Sequence, residues 1–445
     1  MKDKKTLIYI IIITVLVLIL GLLWFVIITN TNKVNTNNNT NSNSNTSNNT
    51  TYSAAKEITS DEEITSGTYK STKSDENAIS VSKAKATLSN ITVTKTGDSD
   101  GGDNTSFYGT NSAILAKDGA NLTIKDATIT TDATGANGVF SYGGSATTSN
   151  SSSDGTTINI SNSKITTKKD NSGGIMTTGG GTMNATNLTI NTAGTSSAAI
   201  RSDRGGGTVT VNKGTYTTTG KGSPAIYSTA DITVKNATLI SKASEGAVIE
   251  GKNSITLDNV KLTDTNNTLN GQSTTYKNIF IYQSMSGDAD TGTAEFSSKD
   301  STIITNKGDT IYVTNTKAKI TLENNKFTNN DSEGNFLRIQ KDSWGNSGSN
   351  GGDVTLKLIN QKANGNIVVD SISKLAMNLT KSSSYEGTIN GNNEGKVTLK
   401  LDKTSKIKLT GDSYVSSLED ADTTYSNIDL NGYKLYVDGK ELQID

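Results

Sequence analysis

The 445-residue chain contains no cysteine and no histidine. Without cysteine it forms no disulfide and has no thiolate for catalysis or metal binding. Without histidine it lacks the commonest metal ligand, the usual base of a catalytic triad and the side chain that titrates near neutral pH. These two absences exclude the commonest arrangements of residues in hydrolase active sites and zinc sites.

Proline, arginine and net charge are also scarce. Pro224 is the one proline, and Arg201, Arg204 and Arg338 are the only arginines. The formal net charge of −1 argues against nucleic acid as a partner. Apolar residues make up 32% of the chain, which is little for one compact globule but suits a solenoid whose strands send alternate residues inward.

A repeat with a period of 23 residues runs through residues 197–263. Val209, Ile232 and Ile255 occupy one position of this repeat, each 23 residues after the last. Within each unit apolar residues alternate with threonine, asparagine or lysine, which is the pattern of a β-strand. A fixed period of this size indicates stacked units. The pattern therefore predicts an all-β fold, a single-stranded parallel β-helix, with a β-sandwich or propeller as the alternative.

A shorter pattern extends this prediction along the chain. Its first, third and eighth positions are apolar, its fifth position is Asn or Asp, and the remaining positions vary. Asn and Asp tolerate the left-handed backbone conformation and bond neighbouring backbone groups, so we expect one at a corner of each coil. The fifth position of the pattern is taken by Asn90, Asp126, Asn162, Asn236, Asn259 and Asn324. We predict about 12 coils over residues 57–375, then shorter rungs and a C-terminal cap over 376–445.

The N-terminal segment predicts a membrane anchor. Residues 1–5 carry three lysines, and residues 6–29 are uncharged and mostly apolar. A helix of that length rises about 36 Å, enough to cross a bilayer. We expect a short cytoplasmic tail, one transmembrane signal anchor and an extracellular β-helix in the cell membrane, with a cleaved signal peptide as the alternative. Residues 30–56 are nearly all Asn, Thr and Ser, which predicts a disordered tether.

Candidate ligand-binding residues are those that depart from the bland repeat. Arginine forks, carboxylates and tyrosine rings suit the hydroxyls and ring faces of sugars. We expect a first outward-facing column formed by Arg201, Tyr227, Glu250 and Tyr282. A second column, two residues further on, is formed by Asp203, Thr229, Lys252 and Ser284. Further residues that extend this strip are Arg204, Gln283, Asp288 and Asp290. The alternative is a ladder of salt bridges and stacked rings that only fixes the register.

Two loops supply further candidates. Trp344 lies in a glycine-rich loop, where it is either an exposed platform for a sugar ring or a side chain that packs back on the rod. Asp98, Asp100 and Asp103 form part of a calcium-loop pattern, but the full twelve-residue loop and its closing glutamate are missing. A solvated turn is the alternative there, and we expect no other cofactor.

Several long, non-repetitive motifs carry a resemblance to known proteins. They are S-A-A-I-R-S-D-R-G-G-G (197–207), S-P-A-I-Y-S-T-A-D-I (223–232), S-E-G-A-V-I-E-G-K-N-S (244–254), I-Y-Q-S-M-S-G-D-A-D (281–290) and W-G-N-S-G-S-N-G-G (344–352). Over residues 66–445 the chain resembles a family of adhesin-like surface proteins of Gram-positive anaerobes. The resemblance implies a right-handed parallel β-helix and a place at the cell surface, and it implies no particular activity.

Together these patterns predict a membrane-anchored protein that binds carbohydrate or a cell-wall or envelope polymer without cleaving it. A polysaccharide lyase or glycoside hydrolase is one alternative, although the carboxylates of Asp203 and Glu250 are expected two coils, or about 10 Å, apart. A purely structural surface spacer is the other alternative.

Overall fold

Parallel strands build almost all of the part of the chain that the structure describes. The computed structural model describes residues 50–145 and 153–444. The predicted cytoplasmic tail, the transmembrane anchor and most of the predicted tether lie outside these residues. Within the part that is described, no helix combines the length and apolar character needed to cross a membrane.

The first sheet, called sheet A here, has one strand from each successive coil. Each strand pairs in parallel with the strand one coil before it and the strand one coil after it. Its twelve strands are Ala54–Ile58, Asn77–Ser82, Ile114–Lys117, Val139–Tyr142, Ile175–Thr178, Ile200–Ser202, Ile226–Ser228, Ala247–Glu250, Lys277–Tyr282, Asp309–Thr314, Leu337–Ile339 and Ile367–Val369.

The second sheet, sheet B, has 21 strands in two parallel ladders that meet at a corner of the coil. The first ladder contains Glu62–Ile64, Lys85–Ser89, Asn121–Lys125, Thr157–Ser161, Gly181–Thr192, Gly207–Thr218, Asp231–Ser241, Ser254–Asp258, Thr293–Lys299, Thr316–Glu323, Gly352–Ile359, Lys374–Thr380, Lys396–Leu401 and Ser417–Asp420. The second ladder shares the three long strands and adds Gly67–Ser71, Ile91–Lys95, Thr128–Thr131, Lys164–Thr167, Lys261–Asp264, Thr302–Thr305 and Lys326–Asn329.

Two small sheets complete the C-terminal coils. Sheet C contains Lys362–Asn364, Ser384–Gly387, Lys406–Leu409 and Ile428–Asp429, and sheet D contains Ser413–Val415, Leu435–Val437 and Lys440–Glu441. The described residues also contain one short helix, α1 (Asp103–Phe107), which follows strand Ile91–Lys95 of sheet B and precedes strand Ile114–Lys117 of sheet A.

The strand register confirms the predicted stacking of coils. Val209 pairs with Ile232, and Ile232 pairs with Ile255. All three side chains are buried in one apolar core that runs through the stacked coils. Residues 23 apart in the sequence are therefore side-by-side neighbours, as in a parallel β-helix.

The predicted asparagine corners are also confirmed. All six Asn and Asp residues of the short pattern have positive φ, from 49° at Asn162 to 55° at Asn236. Their side chains bond between coils: the Asn259 amide donates to Asn236 Oδ1 at 2.8 Å, and the Asn236 amide donates to Asn212 Oδ1 at 2.9 Å. These bonds satisfy polar groups at a turn and help to hold the register of successive coils.

A row of buried polar side chains runs inside the rod, at the end of the second ladder. We call it the inner polar row, and its register-matched members are Ser71, Lys95, Thr131, Thr167, Thr192, Thr218, Ser241, Asp264 and Thr305. Two members are ionisable. Burial lowers the pKa of Lys95 to about 8 and raises the pKa of Asp264 to about 8, because both charged forms lose hydration.

The N-terminal end of the stack differs from the predicted boundary, whereas the C-terminal end has a cap as predicted. Strand Ala54–Ile58 already pairs with Asn77–Ser82, so the first coil begins inside the predicted tether. Half-buried and exposed residues alternate along that strand, which ends at the buried Ile58. At the other end, Leu435–Val437 and Lys440–Glu441 form an antiparallel hairpin within the predicted C-terminal cap. Its turn residues Asp438 and Gly439 both have positive φ, as tight hairpins favour.

Candidate functional site

Inserted segments cover the outer face of sheet A. Leu115, Phe140 and Met176 point outward from consecutive strands, and all three are fully buried in a cluster with Tyr52 and Tyr142. A second outward cluster holds Val248, Phe280, Tyr282 and Tyr312, with Tyr227 and Trp344 packed against it. Apolar side chains on an outer face are stable only when something excludes water from them. Helix α1 and loops at 283–292 and 340–351 contribute this cover.

The predicted outward column is wrong at one coil. Tyr227 pairs with Val248, whereas Glu250 pairs with Tyr282 one coil later. Aligning the two coils by side-chain size would place Val248 beside Ile226, facing inward. In the structure Ala247 is the inward-facing partner of Ile226, and Val248 pairs with the outward-facing Tyr227. A small residue faces inward on that coil, so the predicted column is split between two neighbouring columns.

Glu250 is the centre of a buried hydroxyl cluster. Its carboxylate is 1% exposed and accepts hydrogen bonds from the hydroxyls of Tyr227, Tyr282 and Ser284. Burial raises the pKa of both tyrosines well above its usual value, so both remain protonated donors. The cluster therefore fixes the start of loop 283–292 from below and supports the surface without reaching it.

Arg201 and Asp203 also form a supporting pair. The Arg201 guanidinium lies 2.9 Å from the Asp203 carboxylate, and both side chains are largely buried. Burial raises the pKa of Asp203; the charge of Arg201 opposes this shift, and the nearby Asp288 carboxylate adds to it. Arg201 is thus occupied by its own partner and by the Ser196 carbonyl at 3.2 Å.

Loop 283–292 folds back along the rod and is held by two ion pairs. Arg204 Nη2 lies 2.7 Å from Asp288 Oδ1, although the two residues are 84 positions apart. The same guanidinium lies over the Phe107 ring of α1, 4.0 Å from its centre. Lys252 Nζ lies 2.8 Å from Asp290 Oδ2. As expected, Arg204 and Lys252 both lie beside loop 283–292. Each contacts the loop from a different coil of the rod.

A polar cleft of about 440 Å³ lies between this loop and the corner of sheets A and B. We call it the glycine cleft, lined chiefly by Gly205, Gly206, Gly207, Thr229, Lys252, Asn253, Asp288 and Asp290. A Cβ on Gly206 would lie 2.6 Å from the Thr229 carbonyl oxygen, so only glycine keeps this wall open. Backbone groups, hydroxyls, an amide and charged side chains face the space, which suits a ligand rich in hydroxyl groups.

A second cleft of about 550 Å³ borders the other side of the same loop. We call it the threonine cleft, lined chiefly by Gln283, Met285, Thr291, Thr293, Asn315, Thr316, Asp353 and Lys374. Met285 is 58% exposed and has a φ of 70°. An exposed apolar side chain in a left-handed conformation offers an apolar contact beside polar groups, which again suits a sugar ring.

Trp344 packs back on the rod. Its ring centre lies 5.1 Å from that of Phe280 and 5.3 Å from that of Tyr282, and its side chain is half-buried. The Asn350 amide fixes the loop by donating to the Trp344 carbonyl oxygen at 2.9 Å. Trp344 therefore closes the aromatic cluster, which matches the second of the two interpretations of this loop.

The three aspartates of the calcium pattern do not converge. Asp98 accepts a hydrogen bond from the Thr134 amide and lies 3.3 Å from the Lys169 ammonium, whereas Asp100 caps the Gly102 amide. Asp103 begins helix α1. Over residues 50–145 and 153–444, no group of three or more acidic side chains is arranged to hold a metal ion.

Sequence reasoning predicted part of both walls, since Thr229, Lys252, Asp288 and Asp290 line the glycine cleft and Gln283 lines the threonine cleft. It missed Gly206, Asn253 and Met285, which carry no chemical signature of binding. The run of three glycines at 205–207 was the available signal, because three consecutive glycines beside a strand permit close approach of backbone to a ligand. No protein-family model, curated protein or solved structure matches this chain.

Proposed function

We propose that this chain is a membrane-anchored extracytoplasmic protein that binds carbohydrate or another cell-surface polymer without cleaving it. The binding surface consists of the glycine cleft and the threonine cleft, with loop 283–292 between them. The observation that carries the proposal is the glycine cleft itself: an open polar space whose loop is held by two ion pairs, at Asp288 and Asp290.

The chemistry of the two clefts favours a polyhydroxylated ligand. Pockets for most small molecules are mainly apolar with few polar groups. The glycine cleft is lined instead by glycine backbone, threonine, asparagine and paired charges, and the threonine cleft places threonine, asparagine and glutamine side chains beside the apolar Met285. Because parallel rungs repeat about every 4.8 Å, both clefts extend along the rod and suit a linear polymer.

Absence of turnover is part of the proposal. Asp288 and Asp290, the two acidic residues of loop 283–292, are each paired with a basic side chain. Glu250 is enclosed by three hydroxyls. A glycosidase needs one carboxyl group that delivers a proton and a second that is free to act on the sugar.

Handedness and location complete the proposal. A right-handed coil follows from the resemblance to adhesin-like surface proteins and from the right-handed preference of parallel crossovers. Location in the cell membrane follows from the uncharged segment 6–29 behind three lysines. Both are open to direct measurement.

A glycan array probed with the purified full chain tests the proposal. Lys252→Gln removes the ion pair that holds the loop at the glycine cleft. Lys235→Gln is the matched control, because Lys235 is an exposed lysine paired with Asp258 at 3.7 Å on the open face of sheet B. We expect Lys252→Gln to weaken binding about tenfold and Lys235→Gln to leave it unchanged. A blank array, or equal binding by both variants, contradicts the proposal and favours a structural spacer.

Polysaccharide cleavage is the second candidate, and one observation favours it. Burial and the Asp288 carboxylate raise the pKa of Asp203, and glycosidases use two carboxyl groups of unequal acidity. Asp203 is 7% exposed, however, and it does not line either cleft. Release of reducing or unsaturated ends that Asp203→Asn abolishes would establish this activity; we expect no such product.

A further inference from the structure

A third groove lies on another side of the rod, along the outer face of sheet C. Its volume is about 720 Å³, which is larger than that of either cleft. Its lining includes Lys326, Phe327, Lys362, Tyr385, Lys406 and Lys408. None of these residues belongs to the surface proposed above.

The coil register explains why lysines collect there. Lys362 pairs with Ser384, and Ser384 pairs with Lys406. Lys326 begins strand Lys326–Asn329, the last strand in the second ladder of sheet B. It lines the same groove as Lys362 and Lys406. At about 4.8 Å per rung, Lys362 and Lys406 are about 10 Å apart along the axis of the rod. We call Lys326, Lys362 and Lys406 the lysine row.

The lysine row is not neutralised by the protein. Lys408, in the neighbouring column, forms an ion pair with Glu386 at 2.9 Å. Throughout the part of the chain that the structure describes, the three ammonium groups of the row form no ion pair, and their side chains are exposed. Four lysines against Glu386 and Asp429 leave this groove positive, in a chain whose formal net charge is −1.

The floor of the groove is partly apolar. Phe327 is half-buried and packs edge-to-face on Phe336, with ring centres 5.3 Å apart. Ala363, Tyr385 and Ile407 are buried beneath the row. A row of free ammonium groups beside an aromatic edge matches a polymer that alternates anionic groups with apolar ring faces.

We propose that this groove binds an acidic polysaccharide, a linear chain of uronic-acid sugars. Its carboxylates would lie against the lysine row and its sugar rings against Phe327. A phosphodiester polymer offers the same charge but has no ring face beside each charge, so the aromatic floor favours the carboxylated sugar chain. This site shares no residue with the two clefts and selects for negative charge on the sugar chain.

Binding of an oligouronate of defined length to the purified full chain tests the proposal. The variant is the triple substitution Lys326→Gln, Lys362→Gln and Lys406→Gln. The control is Lys85→Gln, Lys125→Gln and Lys164→Gln, which removes the same charge from three exposed lysines of earlier coils. We expect the groove variant to weaken binding at least about tenfold, with a shallower dependence on salt, and the control to change it less than about twofold.

Further arms separate this site from the alternatives. Phe327→Leu keeps an apolar side chain against Phe336, and we expect it to weaken oligouronate binding while a polyphosphate probe binds the variant and the parent protein equally. Lys252→Gln, at the glycine cleft, should leave oligouronate binding unchanged. No oligouronate binding by the parent protein, equal losses in both triple variants, or tighter binding of polyphosphate than of oligouronate would each overturn the proposal.

Discussion

The outer faces of sheets A and B differ although the same coils build both. On sheet B, Thr210, Thr233 and Thr256 are register partners that face solvent. On sheet A, Phe280 and Tyr312 are register partners that point outward and are buried. The inner sides of the two sheets pack into one core. The repeat therefore specifies the inside of the rod, whereas insertions decide which outer face becomes a site.

We expect the greatest loss of stability from a charge at an inward-facing position, and two adjacent residues on one strand of sheet B test this. Ile232→Asp places a carboxylate in the core, and we expect it to lower the free energy of unfolding by about 4 kcal/mol or more. Thr233→Asp, one residue further on and pointing outward, should change it by less than about 0.5 kcal/mol. Urea denaturation measures both. Similar losses would show that the two positions do not face opposite sides.

The next substitution tests whether the inserted segments pack on the outer face of sheet A. Phe280→Ala removes a ring that packs on Tyr282, Tyr312 and Trp344, so we expect a loss of about 3 kcal/mol. Thr256→Ala is the control, since it occupies an outward position on sheet B. If both substitutions cost less than about 0.5 kcal/mol, the insertions do not pack on sheet A.

The inner polar row provides a test by pH. The native pKa of Asp264 is raised to about 8 from 3.8. The folded state therefore retains a proton that the unfolded state releases, and stability falls as pH rises from about 4 to about 8. Asp264→Asn cannot ionise and should remove that fall. Thermal melts across this range decide; identical pH profiles for variant and parent contradict the assignment.

Lys95 should act in the opposite direction at higher pH. Its native pKa is lowered to about 8 from 10.5, so between these values the unfolded state binds more protons and stability rises with pH. Lys95→Met should flatten the rise. The same melts, extended to about pH 10.5, check the sign, and a rise of equal slope in the variant would refute it.

The smallest effect concerns the corners. Asn236 has a φ of 55°. We expect Asn236→Gly to be nearly neutral, because glycine adopts this conformation freely, and Asn236→Val to cost about 1–2 kcal/mol. Equal costs for glycine and valine in urea denaturation would show that backbone conformation is not what selects the residue at this corner.

The sequence was sufficient for the stacked coils because the information there is local and periodic. The 23-residue spacing of Val209, Ile232 and Ile255 gave the register, and the alternation gave the inward face. The column through Tyr227 failed at Val248 because an alanine took the inward position, which size alone does not reveal.

The sites were harder to predict because they depend on insertions. Arg204 meets Asp288 from 84 positions away, and no periodic pattern encodes where an inserted loop folds back. The lysine row could not be predicted for a similar reason. Lys326 and Lys362 line the same groove because the insertion at 340–351 between them lies outside the coil. Glycine walls leave little chemical signal in the sequence.

Introduced cysteine pairs can show directly whether residues far apart in the sequence become neighbours through stacked coils. The chain has no cysteine of its own, so any disulfide comes from the introduced pair. Register partners on adjacent rungs lie about 4.8 Å apart, whereas residues two rungs apart exceed the roughly 7 Å limit for a disulfide. We predict that Thr210→Cys with Thr233→Cys forms a disulfide under mild oxidation and that Thr210→Cys with Thr256→Cys does not. Failure of the first pair to link, or equal linkage of both, would contradict the stacked fold.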